Sequence, residues 1–452
     1  MLGSTLTIAR NTFVESLRQP VFFIIVLLSG LFQVLNTWLA GFSMGYHNVP
    51  GEVTGDNKLL FDIGLSTIFI CGLFLAAFIA TAVLSREIEN KTILTIVSKP
   101  IGRPAVVVGK YLGVAGAMLV AVLLMVTFLM LAIRHGVLST AADDPDQPVI
   151  LFALVAIGLS LFLAAAGNYM YGWPFGQTMI GLLTPLALLA YLGVLLISKK
   201  WAIQPIGTDF KPQLLLACAS LTMALLVLTA IATAASTRLG QVMTITVCAG
   251  VFMMGLLSNF FIGRHVFRNQ LIGEIVRATP GDDTRAAFDR PGDEYLLELK
   301  LAPEIRLERG DPIYWGPSPN GAAMDTPRMT RPSDDVDLTA TLFTEDVAPA
   351  VVVTGDEGSY ISIKQIGHEA LKILKPPAPG DFVFPRPTTI NKPALVAWTL
   401  VPNMHFFWTV DAITQAQVIP LAHVGLIMLY GVTLIIACLA VAVFLFQGRD
   451  VG

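Results

Sequence analysis

Charge is scarce in this sequence. Only 13% of its 452 residues are Asp, Glu, Lys or Arg, against roughly 25% in an average soluble domain, and 54% are hydrophobic. A water-soluble fold is therefore excluded for most of the chain. The net charge of −3 lacks the basic footprint of a nucleic-acid binder. Cysteine is nearly missing, and Cys71, Cys218, Cys248 and Cys438 all fall inside apolar runs. They read as small packing residues rather than a disulfide framework or metal cluster. His265, His368, His405 and His423 are too widely spaced to suggest a shared metal. No G-x-x-x-x-G-K-[ST], H-E-x-x-H, C-x-x-C or G-x-S-x-G motif occurs, so the chain has no P-loop nucleotide site and no signature of the hydrolases those motifs mark. Ionisable residues are almost absent from the apolar runs as well, whereas carriers driven by protons or sodium ions keep such groups near mid-membrane. Lys110 and Arg134 sit near run ends, from which both are expected to snorkel to the membrane surface. Energy for any transport must come from outside the membrane, and a cytoplasmic motor is the natural source.

What is present is a series of long apolar runs at about 21–42, 63–84, 105–133, 149–166, 179–198, 213–236, 242–262 and 419–446. About 20 apolar residues cross a hydrocarbon core of about 30 Å as a helix, and none of the runs alternates as a barrel strand would. The expected fold class is an all-α polytopic membrane protein with about eight transmembrane helices, plus a small β-rich soluble domain inserted before the last span. Arg10 and Arg18, then Arg86, Lys91, Lys99 and Arg103, then Arg238, then Arg449 all fall on one side of an eight-span plan, which makes that side cytoplasmic. The acidic stretch Asp143–Asp146 falls opposite, together with Lys199 and Lys200, a mild departure. The pair at 149–166 and 179–198 is joined by the uncharged AGNYMYGWPFGQTM, and if only one member crosses, everything downstream inverts. Tyr169, Tyr171 and Trp173 in that connector suit an interfacial aromatic belt.

Residues 1–20 read as an amphipathic interfacial helix, with Leu6, Ala9, Phe13 and Leu17 on one face and Pro20 at its end. The run that follows is too long for a signal-peptide core, so an uncleaved span is expected. Residues 21–262 form the transmembrane domain. Residues 263–417 turn polar and proline-rich and contain no spanning run. Glu294–Glu308, Val336–Phe343 and Ser359–Ile366 carry strand patterning, and Gly316–Asp335 reads as a flexible loop. Residues 418–452 hold the last span and a cytoplasmic tail.

The densest early cluster of charge is SREIENKTILTIVSKPIGRPAVVVGKYLG, Ser85–Gly113. Its segment Arg86–Val97 has helical propensity but is too polar to cross a membrane. Lys99-Pro100 breaks that helix and Gly102-Arg103-Pro104 turns the chain into the next span. A mixed acidic and apolar helix on a rigid turn, here within residues 85–104, can serve as a docking knob that transmits force between rigid elements. A solvated loop whose charges only set topology has the same composition. Gly109-x-x-x-Gly113 just beyond it offers a helix contact.

The order Glu87, Glu89, Thr92, Ile93-Leu94, Ile96-Val97, Ser98, Pro100, Arg103, Lys110 resembles the signature between the second and third spans of type-2 ABC transporter permeases. Lys91 stands where many members have Gly. The connector ATAASTRLGQ, Ala232–Gln241, and the closing FLFQGRDVG are similar to that family too. The resemblance leaves out the pair at 149–198 and the soluble domain, which look like insertions into a six-span plan. It implies a non-catalytic permease subunit of an ATP-driven exporter, paired as a homodimer or heterodimer, in a bacterial inner membrane. Separate ABC ATPase subunits, which bind ATP and magnesium, would grip Glu87, Glu89, Thr92 and Arg103, with Lys91, Ser98 and Pro100 completing the docking set; no cofactor is implied in this chain. The soluble domain would then project outside the cytoplasm and could meet a protein partner there. Membrane lipids are the remaining partner, and nucleic acid is not one. Two other functions fit the same residues: an ABC-type assembly that works mechanically on an extracytoplasmic partner without transport, and a membrane anchor for a binding domain.

Overall fold

The computed structural model describes residues 2–40, 55–89, 102–138, 144–281, 288–303, 305, 307–333, 335–340, 343–414 and 418–447. They form two units, Met1–Leu256 with Pro402–Gly452, and Leu257–Val401. The first is helical: α1 Leu2–Arg18, α2 Pro20–Leu39, α3 Gly55–Glu89, α4 Arg103–His135, α5 Gln147–Tyr171, α6 Phe175–Leu196, α7 Pro212–Ser236 and α8 Gln241–Ser258. Beyond α8 follow α9 Arg264–Val266 and α10 Lys392–Leu400 of the second unit, then α11 Val410–Thr414 and α12 Leu421–Gln447 of the first. Among the described residues eight helices are long and apolar enough to cross a membrane. They coincide with the eight apolar runs.

Helix α1 stops where Gln19 turns extended, because Pro20 disfavours helix at the residue before it and opens α2 instead. It packs in the same chain direction along the first half of α4: Gly109 meets Thr5 and Ile8, Gly113 meets Ala9 and Thr12, and Gly116 meets Phe13. A Cβ at Gly113 would stand 2.5 Å from the Ala9 carbonyl oxygen, so the two backbones touch only because that position is glycine. The Gly109-x-x-x-Gly113 pattern is thus used inside the chain. Close approach also shifts the buried face of α1: Thr12, Ser16 and Leu17 are buried, whereas Leu6, expected on that face, is 61% exposed.

A tight turn joins α5 to α6. Gly172 adopts φ +68° to cap α5, the Asn168 side-chain amide donates to the Trp173 carbonyl at 2.6 Å, and Tyr171 stacks on Trp173. Tyr169 is 92% exposed, so its ring faces away from the helical unit. Residues 402–414, which the sequence groups with the soluble segment, belong to the helical unit. Met404, Phe407, Val410 and Ile413 recur every third position and join its main apolar core.

The second unit is built on a six-stranded sheet in the order β4-β7-β2-β3-β6-β5. Its strands are β2 Gly273–Pro280, β3 Glu294–Leu299, β4 Tyr314–Gly316, β5 Ala350–Glu357, β6 Tyr360–Ile366 and β7 Phe382–Phe384. A separate two-stranded ribbon pairs β1 Phe267–Arg268 with β8 Thr389–Ile390. Both sheet faces are covered, as strand alternation allows. Val351, Val353, Ile361 and Ile363 pack on one face with Leu297 and Trp315. Ala350, Val352 and Ile366 pack on the other with Met329, Leu338, Phe343 and Val347. The segment expected to be a flexible loop contributes Met329 to this cover, and Leu338, Phe343 and Val347 follow it in the chain. The Tyr314 hydroxyl donates to the Met329 carbonyl and accepts from its N–H, both at 3.0 Å, and the Leu374 N–H donates to the Asp325 carbonyl at 2.8 Å. Of the expected strands, Glu294–Leu299 and Tyr360–Ile366 form. The described part of Val336–Phe343 turns instead, because the Asp337 carboxylate accepts from the Thr339 N–H and hydroxyl and bends the backbone there.

Candidate coupling site

Helix α3 runs without interruption from Gly55 to Glu89. The helix that the sequence starts afresh near Arg86 is, as far as Glu89, a continuation of the second span. No glycine or proline occurs between Gly72 and Pro100, and Glu, Arg, Ile and Leu all sustain helix, so nothing near Ser85 breaks the backbone ladder. Glu87 and Glu89 therefore ride on the last turns of one 35-residue helix. Lys91, Thr92, Ser98 and Pro100 lie outside the described residues. The chain re-enters helix at Arg103, with Gly102 as its cap and Pro104 in the first turn, where a missing N–H costs nothing.

Arg103 is pinned. Its guanidinium donates to the Gln447 carbonyl at 2.7 Å, and Arg238, just past α7, donates to the Leu445 carbonyl at 3.0 Å. Both cations thus fall on the C-terminal end of α12, whose last carbonyls have no partner within the helix and carry the negative end of its dipole. Behind them Val107, Ala234, Ala442 and Phe446 form a small apolar cluster, so the start of α4 and the ends of α7 and α12 are one packed corner. One turn deeper, Lys110 does not snorkel. It is 3% exposed and its ammonium donates to the Val83 carbonyl of α3 at 3.2 Å, joining α4 to the helix that bears the two glutamates. The Tyr111 hydroxyl reaches the Leu226 carbonyl of α7 at 3.4 Å.

Of the seven candidate residues, the structure sets Glu87 and Glu89 on α3 and Arg103 at the head of α4, and bonds α3 to α4 through Lys110. Reading the sequence gave Arg238 a topological role and a place in the family-like connector, and set Lys110 in the family signature with a snorkelling ammonium. Arg238 could have been found from its position just past the end of α7, beside a helix end that needs a donor, whereas no local signal points Lys110 at Val83.

The far end of α4 holds a second charged group. Arg134, expected to snorkel, is buried and ion-paired with Asp146 and with Asp209, the latter at 3.0 Å, and it donates to the Ile197 carbonyl at 3.3 Å. Asp146 is fully buried and also caps α5 by accepting from the Val149 N–H. Gln204 donates to Asp209 and to the Leu195 carbonyl. One arginine therefore ties α4 to the start of α5 and to the α6–α7 connection.

Residues 6–168 match the family model described as ABC-2 family transporter protein. Over this stretch the chain is similar to ABC-2 family transporter proteins. The matched stretch contains most of α1, all of α2 to α4, all seven candidate coupling residues and nearly all of α5. The first helix of the pair set aside above as an insertion thus lies inside the matched stretch, and α6 lies beyond it. No curated protein and no solved structure matches this chain.

Proposed function

We propose that this permease is the membrane-spanning subunit of an ATP-driven exporter, in which a separate ATPase subunit binds ATP and magnesium, docks at the α3–α4 end and moves the spans. The observation that carries the reading is the unbroken α3, with Glu87 and Glu89 on its last turns and Lys110 of α4 bonded to its backbone at Val83. A push on the glutamate end is delivered to a rigid rod, and a rod coupled to a second helix is what converts local docking into movement of spans. Arg103, bonded to α12 rather than displayed freely, serves this end as a brace. Lys91, Thr92, Ser98 and Pro100 complete the docking set. Two copies, or this chain and a homologue, would assemble in an inner membrane of bacterial type, with residues 263–417 outside the cytoplasm.

The test is purification of the complex with its ATPase. Glu87→Lys with Glu89→Lys is expected to release the ATPase, or to lower substrate-stimulated ATP hydrolysis at least tenfold, while the permease itself stays folded. An ATPase that remains bound and coupled after both changes would overturn the docking assignment. A second reading, mechanical work on an extracytoplasmic protein without transport, is favoured by the second unit having its own two-faced core. Reconstituted vesicles separate the two, since only an exporter moves a solute across the bilayer.

A further inference from the structure

The second unit carries a helix whose outward face no described residue covers. In α10, Ala394, Leu395 and Trp398 turn inward, while Pro393, Val396, Ala397 and Leu400 form an exposed stripe at helical spacing. Val396 is 58% and Leu400 77% exposed. A helix apolar on both sides is not at rest in water. Its inward side packs on the π-turn Asn259–Gly263, where the Trp398 indole donates to the Asn259 side-chain oxygen at 3.2 Å and Trp398 meets the Phe267 ring edge-on. That turn belongs to the end of the spanning helix Gln241–Val266. Helix α10 is therefore tied to the last turns of a helix long and apolar enough to span. Phe260 and Phe261 in the same turn are 60% and 57% exposed.

The charges beside the stripe have one sign. No Asp or Glu occurs from Leu257 to Gly273 or from Phe382 to Val401, while those stretches carry Arg264, Arg268, Arg386 and Lys392, all exposed. Arg264 stacks over the Phe260 ring at 4.7 Å and donates to the His265 ring, holding a cation directly over an exposed aromatic. Apolar stripe, interfacial tryptophan and flanking cations without carboxylates are together the features of a helix that lies in the headgroup layer of an anionic bilayer.

We propose that α10 is a monotopic membrane anchor. Val396 and Leu400 enter the acyl boundary of the leaflet in which the span Gln241–Val266 ends, and Arg264, Arg268 and Lys392 bind the phosphates of anionic phospholipids. The β-sheet unit is thereby fastened to the bilayer surface at its β1–β8 ribbon, in addition to its covalent links to the spans.

The test uses the full-length protein, with Cys71, Cys218, Cys248 and Cys438 replaced by alanine, reconstituted in phosphatidylcholine vesicles with and without phosphatidylglycerol. Nitroxide labels are placed singly at Val396→Cys and Leu400→Cys, with Lys372→Cys on the sheet unit as the water-exposed reference. Expected are labels at 396 and 400 that relax more with lipid-dissolved oxygen than with an aqueous nickel chelate, and the reverse ratio at 372. Phosphatidylglycerol is expected to deepen the first two labels, and Arg264→Gln with Arg268→Gln and Lys392→Gln to abolish that deepening. Nickel access at 396 and 400 equal to that at 372 would overturn the anchor. Shielding from both reagents would overturn it as well, because it means a second copy of the chain covers the stripe. An immersion depth indifferent to phosphatidylglycerol would overturn the anionic-headgroup assignment.

Discussion

Arg134 shows how much one side chain can carry in a chain this poor in charge. It neutralises Asp146, which is wholly buried, and reaches Asp209 and a backbone carbonyl besides. Removing one partner of a buried ion pair leaves the other charged and desolvated, at a cost of about 3–5 kcal/mol. Arg134→Met is therefore expected to lower the melting temperature in detergent by several degrees. Adding Asp146→Asn should recover part of the loss, since asparagine is uncharged and still caps α5; a single variant that melts like the parent would show that water solvates Asp146. Asp325 in the sheet unit works the other way. Burial, and then the nearby Asp381, raise its pKa above the usual carboxylate value, with Lys375 opposing. A carboxyl with a raised folded pKa stabilises the fold below its unfolded pKa of about 4, and this contribution is lost as pH rises through the folded value. Asp325→Asn should consequently slow hydrogen exchange at Asp325 and Leu374, whose amides bond the Trp315 and Asp325 carbonyls, at neutral pH and change it little near pH 4. Equal exchange in both proteins at neutral pH would contradict this.

Among the elements, α1 depends most on a single contact line. The α4 face it packs on is opened by Gly109, Gly113 and Gly116, and its closest approach is at Gly113. Gly113→Leu is expected to lift α1 from α4, raising hydrogen exchange across residues 2–18 while α12 keeps its protection; unchanged exchange in α1 would mean that another surface holds it. The eight spans were legible because about 20 apolar residues leave the backbone no other way to satisfy its hydrogen bonds in lipid. The length of α3 was less legible. The change from apolar to charged composition at Ser85 suggests a boundary, but a helix ends where its backbone bonds end, and Arg86 to Glu89 keep them. The place of Met329 on the second sheet face was hidden for a related reason: Gly316–Asp335 is rich in turn residues, yet the bonds between Met329 and Tyr314 pin it.

For the whole molecule, the scarcity of charge makes the placing of what remains informative. The basic residues at the α3–α4 end, read first as markers of the cytoplasmic side, include Arg103 and Arg238, which cap the carbonyls of α12. Substituting Arg103 and Arg238 by glutamine together is expected to loosen the end of α12, seen as faster exchange in its last two turns. If that exchange is unaffected, packing by Phe446 and Ala442 suffices there. The sequence by itself determined the membrane class, the eight spans, the polar stretch before the last one and the family signature, because these follow from composition and local order. Only the tertiary structure decided which residues share an end. Lys110 and Val83 are 27 positions apart, Arg103 and Gln447 are 344 apart, and no local pattern encodes such a meeting. It arises from helix packing, which brings the buried Lys110 to a backbone carbonyl of α3 and Arg103 to an end carbonyl of α12 that has no partner within its own helix.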